Sequence, residues 1–292
     1  MKITPTCVPC LLKRIIFEAN QTTADSKKKT EVIRLACQLL AKKYDPTQVS
    51  AELATIIHKK VYDLLETDDP YDELKQRSNQ LALSLLSRVD ELIKKADDPL
   101  KMSMVCSIVG NTLDFGIDGA SDDPSELTDL LESSVNEELG HDDSDTIKNI
   151  LSESKRVLLF TDNCGEIVLD KLLCRELKLF NPHLLITLVV KGEPVLSDAT
   201  MKDAVDLGFE EVVDELFTTG CFAVGVKFSK LPPKVSERLG QADLILCKGM
   251  ANFESFSETD YAPIAYLLRT KCQPIADAMQ VAKDKNIIKV YS

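Results

Sequence analysis

Residues 156–161, Arg-Val-Leu-Leu-Phe-Thr, form a short unbroken apolar run, followed at once by Asp162-Asn163-Cys164-Gly165-Glu166. A run with no polar face predicts a strand covered on both sides, as in the interior of a parallel sheet. A helical pattern follows over 166–180, then a second apolar run over 184–190 and a capped helix over 197–207. A third buried strand is expected at 243–247, with others near 264–272 and 287–291. This alternation of strand and helix predicts an α/β fold, a doubly wound, mostly parallel sheet with helices on both faces.

The first half carries a different period. Apolar residues recur at three- and four-residue steps over 27–43, 47–66 and 72–95; in the third stretch Leu74, Leu81, Leu85, Val89 and Leu92 share one face. Helix starts are marked by Asp25 or Ser26, by Asp45 with Pro46, and by Asp69-Pro70. Shorter helices are expected over 100–111, 124–138 and 144–152, and the acidic stretch 118–125 reads as a loop. A chain of 292 residues can hold two domains. The change of period places the boundary near residue 154, with an all-helical domain over 1–154 and the α/β domain over 155–292.

A formal charge of −12 with no cluster of Lys and Arg disfavours nucleic acid and anionic membranes as partners. No apolar run reaches 18 residues and the first 20 lack a signal-peptide pattern, so a cytoplasmic location is expected. The nine cysteines read as reduced thiols, with Cys37, Cys106 and Cys174 as small core residues. His58 reads as a surface residue, His141 as part of an acidic loop, and His183 as preceding a strand. None has a partner at metal-ligand spacing, which argues against a His-based hydrolase.

Open parallel sheets gather their chemistry at the carboxyl ends of strands. The residues there are Asp162 to Glu166, then 191–198 with Asp198 at its end, then Lys248-Gly249-x-x-Asn252-Phe253-Glu254. Asp and Asn oxygens suit hard divalent cations, and a helix start at Gly165 offers free N–H groups to an anion. Each segment alone also reads as a helix cap or a turn; the three together favour a site. An acidic protein that handles a phosphate ester needs local positive charge, which a bound cation supplies. Separately, Cys7-x-x-Cys10 is half of a zinc site that Cys272 or Cys247 could extend, or else core packing.

The segments Asp162-Asn163-Cys164-Gly165-Glu166 with Asp170, Ser197-Asp198-Ala199-Thr200, and Lys248-Gly249-x-x-Asn252-Phe253-Glu254 resemble the signature of the damage-control phosphatase family. Cys7-x-x-Cys10, Asp69-Pro70-Tyr71 with Lys75 and Asn79, Gly110-Asn111-x-x-Asp114-Phe115-Gly116 and Lys271-Cys272-x-Pro274 extend the resemblance over the whole chain. The Cys-x-x-Cys start is similar to the shorter, stand-alone branch. One departure is Cys164, where the family usually has alanine.

The resemblance implies a phosphatase needing Mn²⁺, Co²⁺, Ni²⁺ or Mg²⁺ and acting on a sugar phosphate or a damaged phosphometabolite. It further implies Asp162, Asn163 and Asp198 as metal ligands, with Asp162 also a candidate to take up the phosphoryl group. Lys248 and Asn252 would meet that group with Glu166 close by, and Asn111, Asp114 and Gly249 would contact substrate. Two other readings compete. One is an adenosyl-cofactor-dependent carboxyl methyltransferase, against which stands the lack of a glycine-rich loop after the first strand. The other is a non-enzymatic metal-binding interaction module.

Overall fold

The structure is a computed structural model that describes residues 1–111 and 124–292. In chain order its elements are α1 (Cys7–Thr22), α2 (Ser26–Lys43), α3 (Ser50–Leu65), α4 (Asp72–Lys95), α5 (Pro99–Gly110), α6 (Pro124–Val135), β1 (His141–Asp142) and α7 (Ser144–Glu153). Then come β2 (Arg156–Phe160), α8 (Glu166–Phe180), β3 (Leu185–Val190), α9 (Met201–Asp206), β4 (Glu215–Thr218) and α10 (Pro233–Leu239). The chain ends with β5 (Leu244–Lys248), α11 (Gly249–Phe256), β6 (Ile264–Arg269), α12 (Gln273–Met279) and β7 (Asn286–Tyr291). Of the expected loop over 118–125, residues 118–123 lie outside the described residues, and residues 124 and 125 belong to α6.

The strands form one sheet in the order β1-β7-β6-β5-β2-β3-β4. Every pairing is parallel except β6 with β7. The fold is therefore the mostly parallel α/β sheet that the strand–helix alternation predicts. The chain runs from β2 to β3 on one side, while β5 pairs on the other side of β2. A switch of this kind opens a crevice at the strand ends, where loops diverge to opposite faces.

Pleating divides the buried side chains between two faces. Val157, Leu159, Leu244 and Leu246 point to one side and pack with helices α4, α5, α7 and α8. Leu158, Phe160, Ile245 and Cys247 point to the other, against α10, α11 and α12. A third core joins α1, α2 and α3 and takes in Val195, Phe222 and Val224 from loops of the α/β half. Helices α4 to α7 thus share their apolar core with the sheet, whereas α1 to α3 bury their faces against one another.

Several local expectations are corrected. Helices α1, α10, α11 and α12 and strands β1 and β4 have no counterpart in the sequence reading; β1 brings His141, expected in a loop, and Asp142 into the sheet beside β7. In α1 the buried residues Leu11, Ile15, Glu18 and Ala19 do repeat at helical steps, and Pro9 is tolerated because it lies in the first turn. Strand β4 has only four half-buried residues, too few to show a period. Asp45 does not cap α3; its Oδ1 accepts the Thr47 N–H at 2.8 Å in a turn ahead of that helix.

Cys37 is exposed, because the buried stripe of α2 runs through Val32, Ala36 and Leu40 and leaves the next position outside. His58 is buried, with Nδ1 2.8 Å from Glu18 Oε1 between α3 and α1. Cys106 and Cys174 are buried as expected.

Candidate active site

Asp162 and Asn163 follow β2, and backbone pairing brings the Asp198 segment to them. Asn163 and Asp198 form an isolated antiparallel bridge. The Cys164 N–H donates to Ser197 O at 2.8 Å and the Ala199 N–H to Asp162 O at 2.8 Å. The Ser197 hydroxyl donates to Asn163 Oδ1 at 2.6 Å. Three residues separated by up to 36 positions in sequence are thereby fixed at one sheet edge.

Asp162 Oδ2 accepts from Asn111 Nδ2 at 2.9 Å and from Asn163 Nδ2 at 2.7 Å. Asn111 Nδ2 also reaches Glu166 Oε2 at 2.5 Å. Among the described residues both donors use Oδ2, which leaves Oδ1 for another partner. Asn111 ends α5, so the helical half contributes a side chain directly to the cluster. Asp114 lies outside the described residues.

Helix α8 starts at Glu166, and its preceding residue Gly165 has φ +81°, a conformation suited to glycine. Asn79 of α4 accepts the Gly165 N–H at 2.7 Å and donates to Asp203 at 3.2 Å. Lys75, one turn earlier, pairs with Asp69 Oδ2 at 2.8 Å. Asn79 thus ties α4 to the start of α8, while Lys75 and Asp69 pair with each other.

Gly249 closes the site from β5, with φ +71°. A Cβ there would lie 1.9 Å from Asp162 Oδ2, so the backbone passes directly against the carboxylate. Gly249→Ala is expected to displace Asp162 and lower kcat about a hundredfold, the scale of a misplaced reacting group. Steady-state kinetics beside a melting curve checks this; near-wild-type kcat would contradict the close contact.

Lys248, expected at the phosphoryl group, is 0 % exposed and turned inward. Its ammonium donates to Glu166 Oε1 at 2.5 Å, Asp170 Oδ1 at 2.9 Å and Ser107 O at 2.9 Å. The Ser107 hydroxyl donates to the same Asp170 oxygen at 2.6 Å. Burial alone would lower Lys248, but Asp170 and Glu166 outweigh it and hold the ammonium above its ordinary value. Burial pushes Asp170 up to about 6 despite the adjacent Lys248.

The pattern explains the inward turn. Lys248 shares pleat parity with Leu244 and Leu246, and Glu166 and Asp170 are one helical turn apart on α8. Asn252, also expected at the phosphoryl group, donates to Thr161 O at 2.9 Å and Lys248 O at 2.7 Å. Its Oδ1 is buried with no hydrogen-bond partner among the described residues.

Lys191, at the end of β3, was assigned no role from sequence. It is buried, donates to Gly225 O at 2.6 Å, and stands 3.3 Å from Asp198 Oδ2 as an ion pair without hydrogen-bond alignment. Ser107 was likewise missed. Lys271 donates to Asn111 O at 2.5 Å, which ties the start of α12 to the same cluster.

The donor set fits a hard cation. Asp162 is held well above its ordinary value by burial, then by Asp198 and Glu166; Asp198 is raised by burial against the opposing pull of Lys191. These two crowded carboxylates, one with an oxygen that has no hydrogen bond and only the Lys191 ion pair at 3.3 Å, and an amide oxygen are the kind of groups that Mg²⁺ or Mn²⁺ ligation satisfies. Among the described residues no three His, Cys, Asp or Glu side chains gather to hold a metal. Cys272, at the start of α12, is raised by burial and also by Cys7 and Cys10, so the three cysteines lie near one another. Cys7 lies against Thr4 Oγ1 at 3.3 Å, Cys10 is exposed, and Cys247 is buried in the sheet.

Carboxylates and amides crowded at the switch point of a doubly wound sheet lie where such folds bind their ligands. Residues 3–287 match the family model described as the damage-control phosphatase ARMT1-like domain. A damage-control phosphatase of Archaeoglobus fulgidus is 39% identical over 290 residues, 99% of each chain. A damage-control phosphatase of Pyrococcus horikoshii is 29% identical over 97% of this chain and 96% of its own. The crystal structure of a DUF89 family protein from Pyrococcus horikoshii superposes with TM-score 0.92 at 26% identity, covering both chains completely.

The chain belongs to the damage-control phosphatase family. It is a metal-dependent phosphatase, which sets aside the methyltransferase and interaction-module readings. Among the described residues no helix is long and apolar enough to cross a membrane.

Proposed function

We propose that the protein hydrolyses the phosphate ester of a small sugar phosphate or damaged phosphometabolite at the cluster around Asp162. The observation that carries this is the convergence of Asp162, Asn163 and Asp198 at one strand end, with an Asp198 oxygen left without a hydrogen bond. The relatives named as damage-control phosphatases support a phosphatase acting on damaged metabolites. Asp162, Asn163 and Asp198 hold one divalent cation, Mn²⁺, Co²⁺, Ni²⁺ or Mg²⁺. When bound, it supplies positive charge that neutralises a phosphoryl oxygen.

The chain's own residues do the positioning. Asn111 and Asn163 fix Asp162 through Oδ2, and Oδ1 is the oxygen turned to cation or phosphorus. Glu166, oriented by Lys248 on one oxygen and by Asn111 on the other, lies at the edge of the reacting centre. Lys248 acts through Glu166, since its three donors already have protein partners. The helical half, residues 1–154, closes the site through Asn111. Direct attack by water and transfer through an Asp162 acyl phosphate share this arrangement.

The test is hydrolysis of p-nitrophenyl phosphate by chelated protein, with each cation added back. Release is expected only with cation, and folded protein that no cation stimulates would contradict the proposal. The acid side has a defined sign. Raised carboxylates keep their protons to higher pH than usual, and ligation requires them ionised. The Mn²⁺ concentration for half activation is therefore expected to rise as pH falls.

A further inference from the structure

The loop that carries Asp198 is anchored from two sides, and one anchor is far from the chemistry. Towards the site, Ser197 O and the Ala199 N–H pair with the Cys164 and Asp162 backbone. Away from it, Val195 is fully buried and Leu196 partly buried in the core of α1 to α3. Between these anchors Leu196 has φ +49°, a left-handed conformation that a leucine rarely adopts. The Leu196 N–H donates to the Tyr62 hydroxyl oxygen at 3.1 Å.

Tyr62 is itself held rigidly. It is 2 % exposed on α3 and meets Phe222 edge-on at 5.4 Å between ring centroids. Burial keeps its phenol protonated, with the pKa far above the ordinary value. The Asp198 N–H donates to Val195 O at 3.1 Å, closing a tight turn over residues 195–198. The geometry of Leu196 therefore fixes the direction in which Ser197 and Asp198 leave that turn.

We propose that Tyr62 is a positioning residue for Asp198, holding Leu196 in its left-handed conformation so that Asp198 faces Asp162 and Asn163. The proposal rests on reading those three residues as the cation's ligands. Without the hydroxyl, Leu196 relaxes towards negative φ and Asp198 turns from the cluster in part of the population. A cation then binds only the competent fraction, and its apparent affinity falls by that fraction.

The experiment is calorimetric titration of the full chain with Mn²⁺ alone, on wild type, Tyr62→Phe, Leu196→Asn and the double variant. Phenylalanine keeps the ring and its contact with Phe222, and a thermal melt verifies folding. Tyr62→Phe is expected to weaken Mn²⁺ binding about five- to tenfold, the worth of one net hydrogen bond. Its kcat at saturating Mn²⁺ should stay within about twofold of wild type, since the lost step is binding. Asparagine accepts the left-handed region, so Leu196→Asn should recover much of the loss in the double variant.

Wild-type affinity in Tyr62→Phe would overturn the proposal and leave the ligand assignment standing. So would a loss that Leu196→Asn does not relieve. Failure of wild type itself to bind Mn²⁺ would instead sink the ligand assignment, and this proposal with it.

Discussion

Asp162→Ala and Asp198→Ala are each expected to reduce turnover at least about a thousandfold while the chain still folds and melts cooperatively. Loss of a single stabilising contact to a developing charge costs about 3–4 kcal/mol in the barrier, and loss of a cation ligand removes more than one such contact. Asp162 contributes little to the fold, whereas Asp198→Ala also strands the buried Lys191 and should lower the melting temperature without abolishing folding. Both are raised by burial, and Asp162 also by the charges of Asp198 and Glu166, so neutral pH finds them at a cost to the metal-free protein.

The sign follows from linkage. A carboxylate whose folded pKa lies above its unfolded value binds more protons when folded, and its contribution to stability falls as pH rises through that window. The isosteric variant Asp162→Asn should therefore melt no lower than wild type without cation at neutral pH, whereas Asp198→Asn also leaves the buried Lys191 without its carboxylate. Cation should raise the melting temperature of wild type and not of the variants. A variant that turns over like wild type would remove its residue from the ligand set.

Lys248→Met is expected to have the largest effect on stability, a loss of about 3–5 kcal/mol, the usual result of breaking a buried ion pair from one side. In a chain of this size that corresponds to a fall in melting temperature on the order of 10 °C. Lys248 is 0 % exposed, and its removal strands Glu166 and Asp170, which are themselves 1 % and 0 % exposed. The compensated variant separates structure from chemistry. Adding Glu166→Gln and Asp170→Asn to Lys248→Met leaves no uncompensated charge and should return most of the stability. It should not return activity, because Glu166 no longer carries charge at the reacting centre. Recovery of both would show that the network serves only to hold the fold; Lys248→Met that melts like wild type would contradict the buried pairing.

Most of the sheet half was legible because β2, β3, β5 and β6 are largely apolar runs of five or six residues followed by turn chemistry, whereas the four half-buried residues of β4 gave no such signal. The crevice then follows from strand order, since β2 lies between β3 and β5. Motif resemblance marked Asp162, Asn163, Asp198 and Asn111, which the structure brings together. The direction of Lys248 was the least legible feature, for its partners are 78 and 82 residues earlier in sequence. A signal did exist: the alternation of Leu244, Leu246 and Lys248 puts the lysine on the helix-covered face, where only carboxylates could satisfy it.

His58 shows the same limit. Its neighbours Lys59 and Lys60 suggest a surface, but the partner Glu18 comes from a different helix, and nothing local reveals it. Tyr62 carries no motif at all. Its importance arises from the backbone of Leu196, 134 residues away, and appears only once the loop is folded.

The measurement closest to the central claim is anomalous scattering from a crystal soaked in Mn²⁺, collected at the manganese absorption edge. One peak is expected at the carboxyl end of β2, about 2.2 Å from an oxygen each of Asp162, Asn163 and Asp198. A peak coordinated by other side chains, or these three oxygens pointing to separate faces around bound substrate, would contradict the account.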